Sequence, residues 1–128
     1  MALLQIGLCA QVQETVLYTK VAVALGSGSL PVYATPAMAA LMEKAACSAI
    51  SAALPLGTTS VGISLNITHD AATLPGHLIT ASAELTAVEG RRLYFKLSAH
   101  DGKTLIGQGT HQRFLVDTEN FMQKLHTK

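Results

Sequence analysis

The sequence lacks any long apolar run. Hydrophobic residues make up 49% of its 128 residues, yet no apolar stretch approaches the roughly 20 residues of a membrane-spanning helix. It also lacks an excess of charge, because 9 basic side chains are balanced by 8 acidic ones and the net charge is +1. A chain with so little positive charge has no means of holding a phosphate backbone. We therefore expect neither a membrane nor a nucleic acid as a partner.

Cysteine is almost absent as well. Cys9 and Cys47 are the only two, and their spacing matches no metal-binding motif. Two reduced thiols are typical of a cytoplasmic protein, in which disulfides are rare. The first ten residues, MALLQIGLCA, lack the basic start and the unbroken apolar segment of a secretory signal. These absences predict a cytoplasmic protein with no bound metal ion.

The chain is long enough for one domain with a substantial core, and we assign residues 1–128 to a single domain. Residues 11–25 are rich in β-forming side chains and predict an extended segment, which a flexible connection follows at 26–31. Thr35 and Pro36 are typical of a helix start, with Thr35 as the capping residue. The helix is predicted to run through an alanine-rich stretch and to stop near Pro55.

From residue 58 onward the apolar residues recur with a period of two. This pattern predicts four strands, at 59–69, 77–88, 91–100 and 104–116. The dipeptides Glu-Gly at 89–90 and Asp-Gly at 101–102 predict tight antiparallel hairpins. Capping residues at the start of 117–126 predict a short closing helix. One long apolar helix with an antiparallel sheet wrapped around it is an α+β fold.

The strand predicted at 59–69 ends in an ionisable residue. A side-chain period of two places His69 on the same face as Val61, Ile63, Leu65 and Ile67, which predicts an imidazole at the end of a buried face. Such a histidine is either a satisfied core residue or a functional group. The residue pattern leaves both interpretations open.

The long helix carries a second unusual residue. Glu43 has only alanine and cysteine at its i±3 and i±4 positions. A carboxylate there either reaches solvent at the edge of the packed stripe or is paired with another group, because burying it alone is costly. Eight helical residues place Glu43 about 12 Å from Thr35, so the two can meet only across a substrate or a subunit boundary. A hydroxyl, a carboxylate and the imidazole of His69 in one cleft suit acyl transfer.

Three segments, VYATPAMAALMEKAA, VGISLNITHDAATLPG and GTHQRFLV, resemble the fluoroacetyl-CoA thioesterase family of single hot-dog-fold domains. The resemblance implies an antiparallel sheet wrapped around one central helix, in a homodimer or a dimer of dimers with active sites at the interface. It implies hydrolysis of an acyl-CoA thioester to the free acid and CoA. The family's catalytic residues match Thr35, Glu43 and His69, and a glycine lining its acyl pocket matches Gly62. No separate cofactor is implied, since coenzyme A is part of the substrate.

Other positions match the family less closely. His111 and Arg113, in GTHQRF, match a family motif. We consider a contact at the interface or with the CoA moiety for them, and favour a structural role over both. Family members specific for fluoroacetyl-CoA carry a bulky, aromatic-rich lid before the catalytic threonine. Here that region is GSGSLPVY, with Tyr33 as its only aromatic residue and as a candidate substrate contact. The difference predicts a thioesterase for a broader range of short or small acyl groups.

Two other functions are compatible with a hot-dog fold. One is a non-catalytic acyl-CoA-binding protein or sensor, although a pure binder has no need of the carboxylate of Glu43. The other is a hydratase or dehydratase, although the sequence shows no hydration motif. Release of a free thiol from acyl-CoA would separate hydrolysis from both alternatives.

Overall fold

The computed structural model describes residues 4–128, in which one long helix packs against a five-stranded sheet. The elements in chain order are β1 (Cys9–Thr15), α1 (Ala22–Leu25), α2 (Thr35–Ile50), β2 (Thr58–His69), β3 (Leu78–Glu89), β4 (Arg92–Asp101), β5 (Thr104–Asp117) and α3 (Thr118–His126). The strands lie in the order β1-β3-β4-β5-β2, and each neighbouring pair is antiparallel. The predicted α+β architecture is confirmed.

Helix α2 supplies one half of the core. Its buried residues recur every three or four positions, as expected of one helix face: Ala37, Met38, Leu41, Met42, Ala45, Ala46, Ala49 and Ile50. The opposing half comes from alternate residues of β3 and β4, including Ile79, Leu85 and Phe95. The alanines on both sides let the helix lie close to the sheet. No helix within residues 4–128 is both long and apolar enough to cross a membrane.

The predicted turns and the closing helix are also confirmed. The pairs Glu89–Arg92 and Asp101–Thr104 enclose two-residue hairpin loops, and each loop begins with a glycine at positive φ. At the start of α3 the side chain of Asp117 accepts a hydrogen bond from the backbone N–H of Asn120, as expected of a helix cap.

The first predicted strand is wrong in its second half. Strand β1 ends at Thr15, and residues 16–25 form a single 3-10 turn (Tyr18–Lys20) and the short helix α1. The partner strand explains the break, because the pairing between β1 and β3 ends at Thr15 and Leu78. After Thr15 the chain changes direction, and this change buries Val16 and Val21 in the core. A straight continuation of β1 would not reach the same positions.

Strand β2 lies at the edge of the sheet and contains a β-bulge. Its register against β5 shifts between Gly62 and Ser64, so that Ile63 is the extra residue. Gly62 then lies opposite Arg113 and faces α2. The predicted common face is therefore wrong for Val61 and Ile63, because the bulge interrupts the alternation. Nor is the strand buried in this chain, since 45% of Ile63 is exposed.

Gly107 brings the start of α2 close to β2. It lies opposite His69 in the pairing of β2 with β5. A Cβ atom at this position would lie 2.6 Å from Sδ of Met38 and 2.7 Å from the carbonyl oxygen of Thr68. The missing side chain therefore allows Met38 to rest on the sheet. Thr35, one helical turn earlier, is thereby carried next to the end of β2.

Candidate active site

Thr35 and His69 are hydrogen-bonded to each other. The Oγ1 atom of Thr35 lies 2.7 Å from Nδ1 of His69. Helix α2 has Ala34 as its N-cap, and no side chain caps it. The predicted capping role of Thr35 is therefore wrong, because the helix begins one residue earlier than a threonine cap requires. Thr35 is exposed, and its hydroxyl is directed to the imidazole instead.

The surroundings of His69 favour a neutral imidazole. Burial lowers the pKa of His69, although the negative charge of Asp70 opposes this shift. The ring of Tyr33 meets the imidazole edge-on, with ring centroids 6.4 Å apart. Within the described residues, Nε2 is buried without a hydrogen-bond partner. A neutral His69 with its proton on Nε2 can accept the proton of the Thr35 hydroxyl through Nδ1.

A cleft of about 240 Å³ opens beside this pair, and Thr35, His69 and Asp70 are among the residues that line it. Ala22, Ser27 and Val32 line it as well. The first N–H groups of a helix have no intrahelical partner, and the helix dipole makes this end positive. A carbonyl oxygen placed here would gain stabilisation as negative charge develops on it.

Tyr33 lies in the core and not in a surface lid. Only 1% of the residue is exposed, and its hydroxyl donates a 2.5 Å hydrogen bond to Oε2 of Glu14. Burial and this hydrogen bond raise the pKa of Tyr33. Its ring packs edge-on against His69. The residues of the lid region that precede Tyr33 contribute the small side chains of Ser27 and Val32 to the cleft.

Glu43 belongs to a second cluster, with Arg113 and His111. Its Oε2 atom lies 3.6 Å from Nη1 of Arg113 and 3.9 Å from Nε2 of His111. The side chain of Glu43 is 41% exposed, whereas that of Arg113 is 9% exposed. The carboxylate is thus both paired and open to solvent, and it is the counter-charge of a largely buried guanidinium.

Gly62 leaves space in front of this carboxylate. A Cβ atom on Gly62 would lie 2.8 Å from Oε2 of Glu43 and 3.3 Å from Nη1 of Arg113. The guanidinium is held on its other side by Ser60, whose hydroxyl and carbonyl oxygens accept bonds of 2.8 and 3.0 Å. Nothing in the sequence pattern distinguishes Ser60, which is one of two serines in β2.

The two clusters are separate within one chain. Glu43 lies eight residues after Thr35 on α2, which corresponds to about 12 Å along the helix axis. Each cluster nevertheless contacts β2, since His69 is its last residue and Gly62 lies near its start. The candidate site is therefore two groups of side chains placed along the edge strand.

Comparison with known proteins identifies the family. The sequence profile of the fluoroacetyl-CoA-specific thioesterases matches residues 16–119. The chain belongs to this family. The fluoroacetyl-CoA thioesterase of Streptantibioticus cattleyicolor is 46% identical over 97 residues, which cover 76% of this chain and 70% of that protein.

Solved structures agree with this assignment. A structure of the fluoroacetyl-CoA thioesterase superimposes with a TM-score of 0.90 at 38% identity, over 98% of this chain and 97% of the other. A thioesterase superfamily member from Thermus thermophilus gives a TM-score of 0.90 at 26% identity, over 99% of this chain and 94% of the other. The predicted hot-dog fold and thioester hydrolase class are confirmed. The comparisons do not favour the two alternative functions, an acyl-CoA sensor and a hydratase or dehydratase.

His69 and His111, two of the five histidines of this thioesterase, predict a pH-dependent stability. Burial lowers the pKa of both His69 and His111, so the unfolded chain binds protons more readily than the folded one. The stabilisation that comes from keeping these histidines neutral should therefore be complete above the ordinary histidine pKa of 6.5. The free energy of unfolding should decrease as the pH drops below that value. Urea unfolding at pH 7.5 and 5.5 measures this difference. It should shrink in His69→Asn, and equal stability of the unmodified protein at both pH values would contradict the prediction.

Proposed function

We propose that this thioesterase hydrolyses short or small acyl-CoA thioesters to the free acid and CoA, with Thr35, His69 and Glu43 as its catalytic residues. The observation that supports the proposal best is the 2.7 Å contact between Thr35 and His69 beside a cleft at the start of α2. Coenzyme A enters as part of the substrate, and we propose no other cofactor and no metal. The two free cysteines fit a cytoplasmic location.

The chemistry follows from these positions. The attacking oxygen is that of Thr35 or of a water molecule bonded to it, and His69 takes its proton through Nδ1 as general base. The C–O bond forms while the carbonyl oxygen gains negative charge near the helix N-terminus. The C–S bond then breaks, and the proton held by His69 passes to the departing thiolate. If Thr35 is acylated, water hydrolyses its ester by the same proton transfers.

Glu43 completes this site from a second copy of the chain. Antiparallel pairing of two β2 edges about a twofold axis brings the His69 end of one strand towards the Gly62 end of the other. The Thr35–His69 pair would then approach the Glu43 carboxylate of the second copy. In that position Glu43 can orient or deprotonate the water that releases the acyl group.

The cleft suits a small acyl group. Its volume is about 240 Å³, and Ala22, Ser27 and Val32 supply only short side chains to it. Nothing aromatic from residues 26–32 covers it. We therefore propose that acetyl-CoA and other small acyl-CoA thioesters are substrates along with any fluorinated analogue.

The assembly is testable through β2. We predict a homodimer, or a dimer of such dimers, because this edge strand exposes the apolar Ile63 and Leu65. Ile63→Lys should dissociate the dimer and lower activity with it. Leu56→Lys, a matched change at a fully exposed leucine outside the strand, should do neither. Light scattering measures the mass, and a fully active monomer would contradict the shared site.

The carboxylate is testable with a panel of acyl-CoA thioesters. The unmodified protein should release CoA thiol, detected with a thiol reagent, most rapidly from short acyl chains. Glu43→Gln should keep substrate binding but lower kcat by about 10²-fold or more, the scale expected for loss of a general base. Lys44→Gln, at the exposed neighbouring position, is the control and should remain active. Binding of the panel without thiol release, or an unchanged rate in Glu43→Gln, would contradict the proposal.

The hydroxyl is testable because Thr35 does not cap the helix. Thr35→Ala should lower the free energy of unfolding by less than about 1 kcal/mol, since it removes one exposed hydrogen bond. It should nevertheless abolish most of the activity, while Thr35→Ser should keep a measurable share. Thermal melts and initial rates on the same preparations give both quantities. Activity that falls only with the folded fraction would exclude Thr35 from the reaction.

A further inference from the structure

His111 is buried and has both of its ring nitrogens occupied. Only 2% of the residue is exposed. Its Nδ1 atom lies 2.8 Å from the carbonyl oxygen of Ser64, and its Nε2 atom lies 3.1 Å from Nη1 of Arg113. Because a carbonyl only accepts and a guanidinium only donates, Nδ1 carries the proton and Nε2 is the acceptor. The two partners therefore determine the tautomer of this histidine.

These bonds connect the bulge of β2 to the guanidinium of Arg113. Ser64 is the residue after the bulge, so the Nδ1–H of His111 secures the strand where its register shifts. The guanidinium donates to Ser60 through Nε and Nη2, and to His111 through Nη1. The same Nη1 atom lies 3.6 Å from Oε2 of Glu43. The orientation of the cation that faces the carboxylate is thus determined by Ser60 and His111.

We propose that His111 is a positioning residue for Glu43, which it holds through Arg113 without touching the substrate. In this chain the imidazole is enclosed, with the ring of Phe95 tilted against it and the ring centroids 6.0 Å apart, which fits the structural role that the sequence favours for His111 over a contact with CoA. The proposal rests on the proposed function, because it requires a catalytic Glu43.

The bond to Nε2 matters for the carboxylate because Nε2 of His111 and Oε2 of Glu43 are the two acceptors recorded near Nη1 of Arg113 among the described residues. Without Nε2, the Nη1–H group could bond only to Glu43, and leaving a buried donor unpaired is costly. We expect the guanidinium to turn towards the carboxylate and hold it in a closer ion pair. The carboxylate would then be displaced from the position it needs. A displacement of about 1 Å can cost a large part of a catalytic rate.

Two substitutions separate the two bonds. In His111→Asn the side-chain amide can still donate to the Ser64 carbonyl, but it is too short to accept from Arg113. In His111→Gln the longer amide can place its oxygen near the position of Nε2, and the bond to Ser64 is lost. The same changes at His100, on the outer face of β4 opposite Thr80, are the matched controls.

The proposal predicts that activity and stability rank the two variants in opposite orders. Of the two variants, His111→Asn should have the higher melting temperature, but its kcat should be about tenfold or more below that of the unmodified protein, with little change in KM. His111→Gln should have the lower melting temperature, but its kcat should stay within about threefold of the unmodified protein at a temperature where both variants are folded. His100→Asn and His100→Gln should keep kcat. Melting curves, kcat and KM for short acyl-CoA measure all of these quantities.

Three results would overturn the proposal. They are an unchanged kcat in His111→Asn, an equal loss of kcat in both folded variants, and losses that follow the folded fraction alone. Glu43→Gln in the same assay separates this proposal from the proposed function. If Glu43→Gln is inactive while His111→Asn is fully active, only the positioning role fails. If Glu43→Gln is fully active, the catalytic role of Glu43 fails, and the positioning role fails with it.

Discussion

The close approach of α2 to the sheet brings Thr35 into contact with His69. Alanines line the buried face of the helix, and Gly107 leaves room beneath Met38. A larger residue at this position would push the first turns of α2 away from β5, since protein interiors have little free space. Thr35 lies on the first of these turns, and its hydrogen bond to His69 spans only 2.7 Å. The contact between Thr35 and His69 is therefore a consequence of packing between elements and not of local sequence.

The bulge in β2 has a comparable effect on the second cluster. With regular alternation, Gly62 and His69 would face opposite sides of the sheet, because seven residues separate them. The extra residue, Ile63, reverses the face of everything before it, so both residues point towards α2. The bulge leaves the carbonyl of Ser64 to His111. One irregular residue thus places Gly62 against Glu43 and also anchors the histidine beside it.

The sequence was informative where the structure is regular and local. Helix α2, the four later strands and both hairpins follow from periodicity and turn residues, which act over a few positions. Residues 16–25 could not be predicted, because Val16 and Val21 favour strands locally but are buried by a change of chain direction. The bulge could not be predicted either, since the apolar alternation continues through Ile63. Thr35, Glu43 and His69 were already unusual in the residue pattern, and resemblance to a family then supplied their roles, whereas partners such as Ser60 and Glu14 required the coordinates.

The two clusters differ in electrostatics, and the difference is the reason that the proposed mechanism uses both. Thr35 and His69 form a neutral pair that can move a proton, but no lysine or arginine is among the described residues that line its cleft. Glu43 and Arg113 form an ion pair, and the nearby Ser60 hydroxyl accepts a hydrogen bond from Arg113 and not from a group that could deprotonate it. Thioester hydrolysis needs a transferable proton at the attacking oxygen and a charged group that orients water. Both clusters border the same edge strand from opposite ends. If two copies pair their β2 strands antiparallel, the Thr35–His69 cluster of each copy therefore approaches the Glu43–Arg113 cluster of the other. Such a dimer has two complete sites, one at each end of the paired strands.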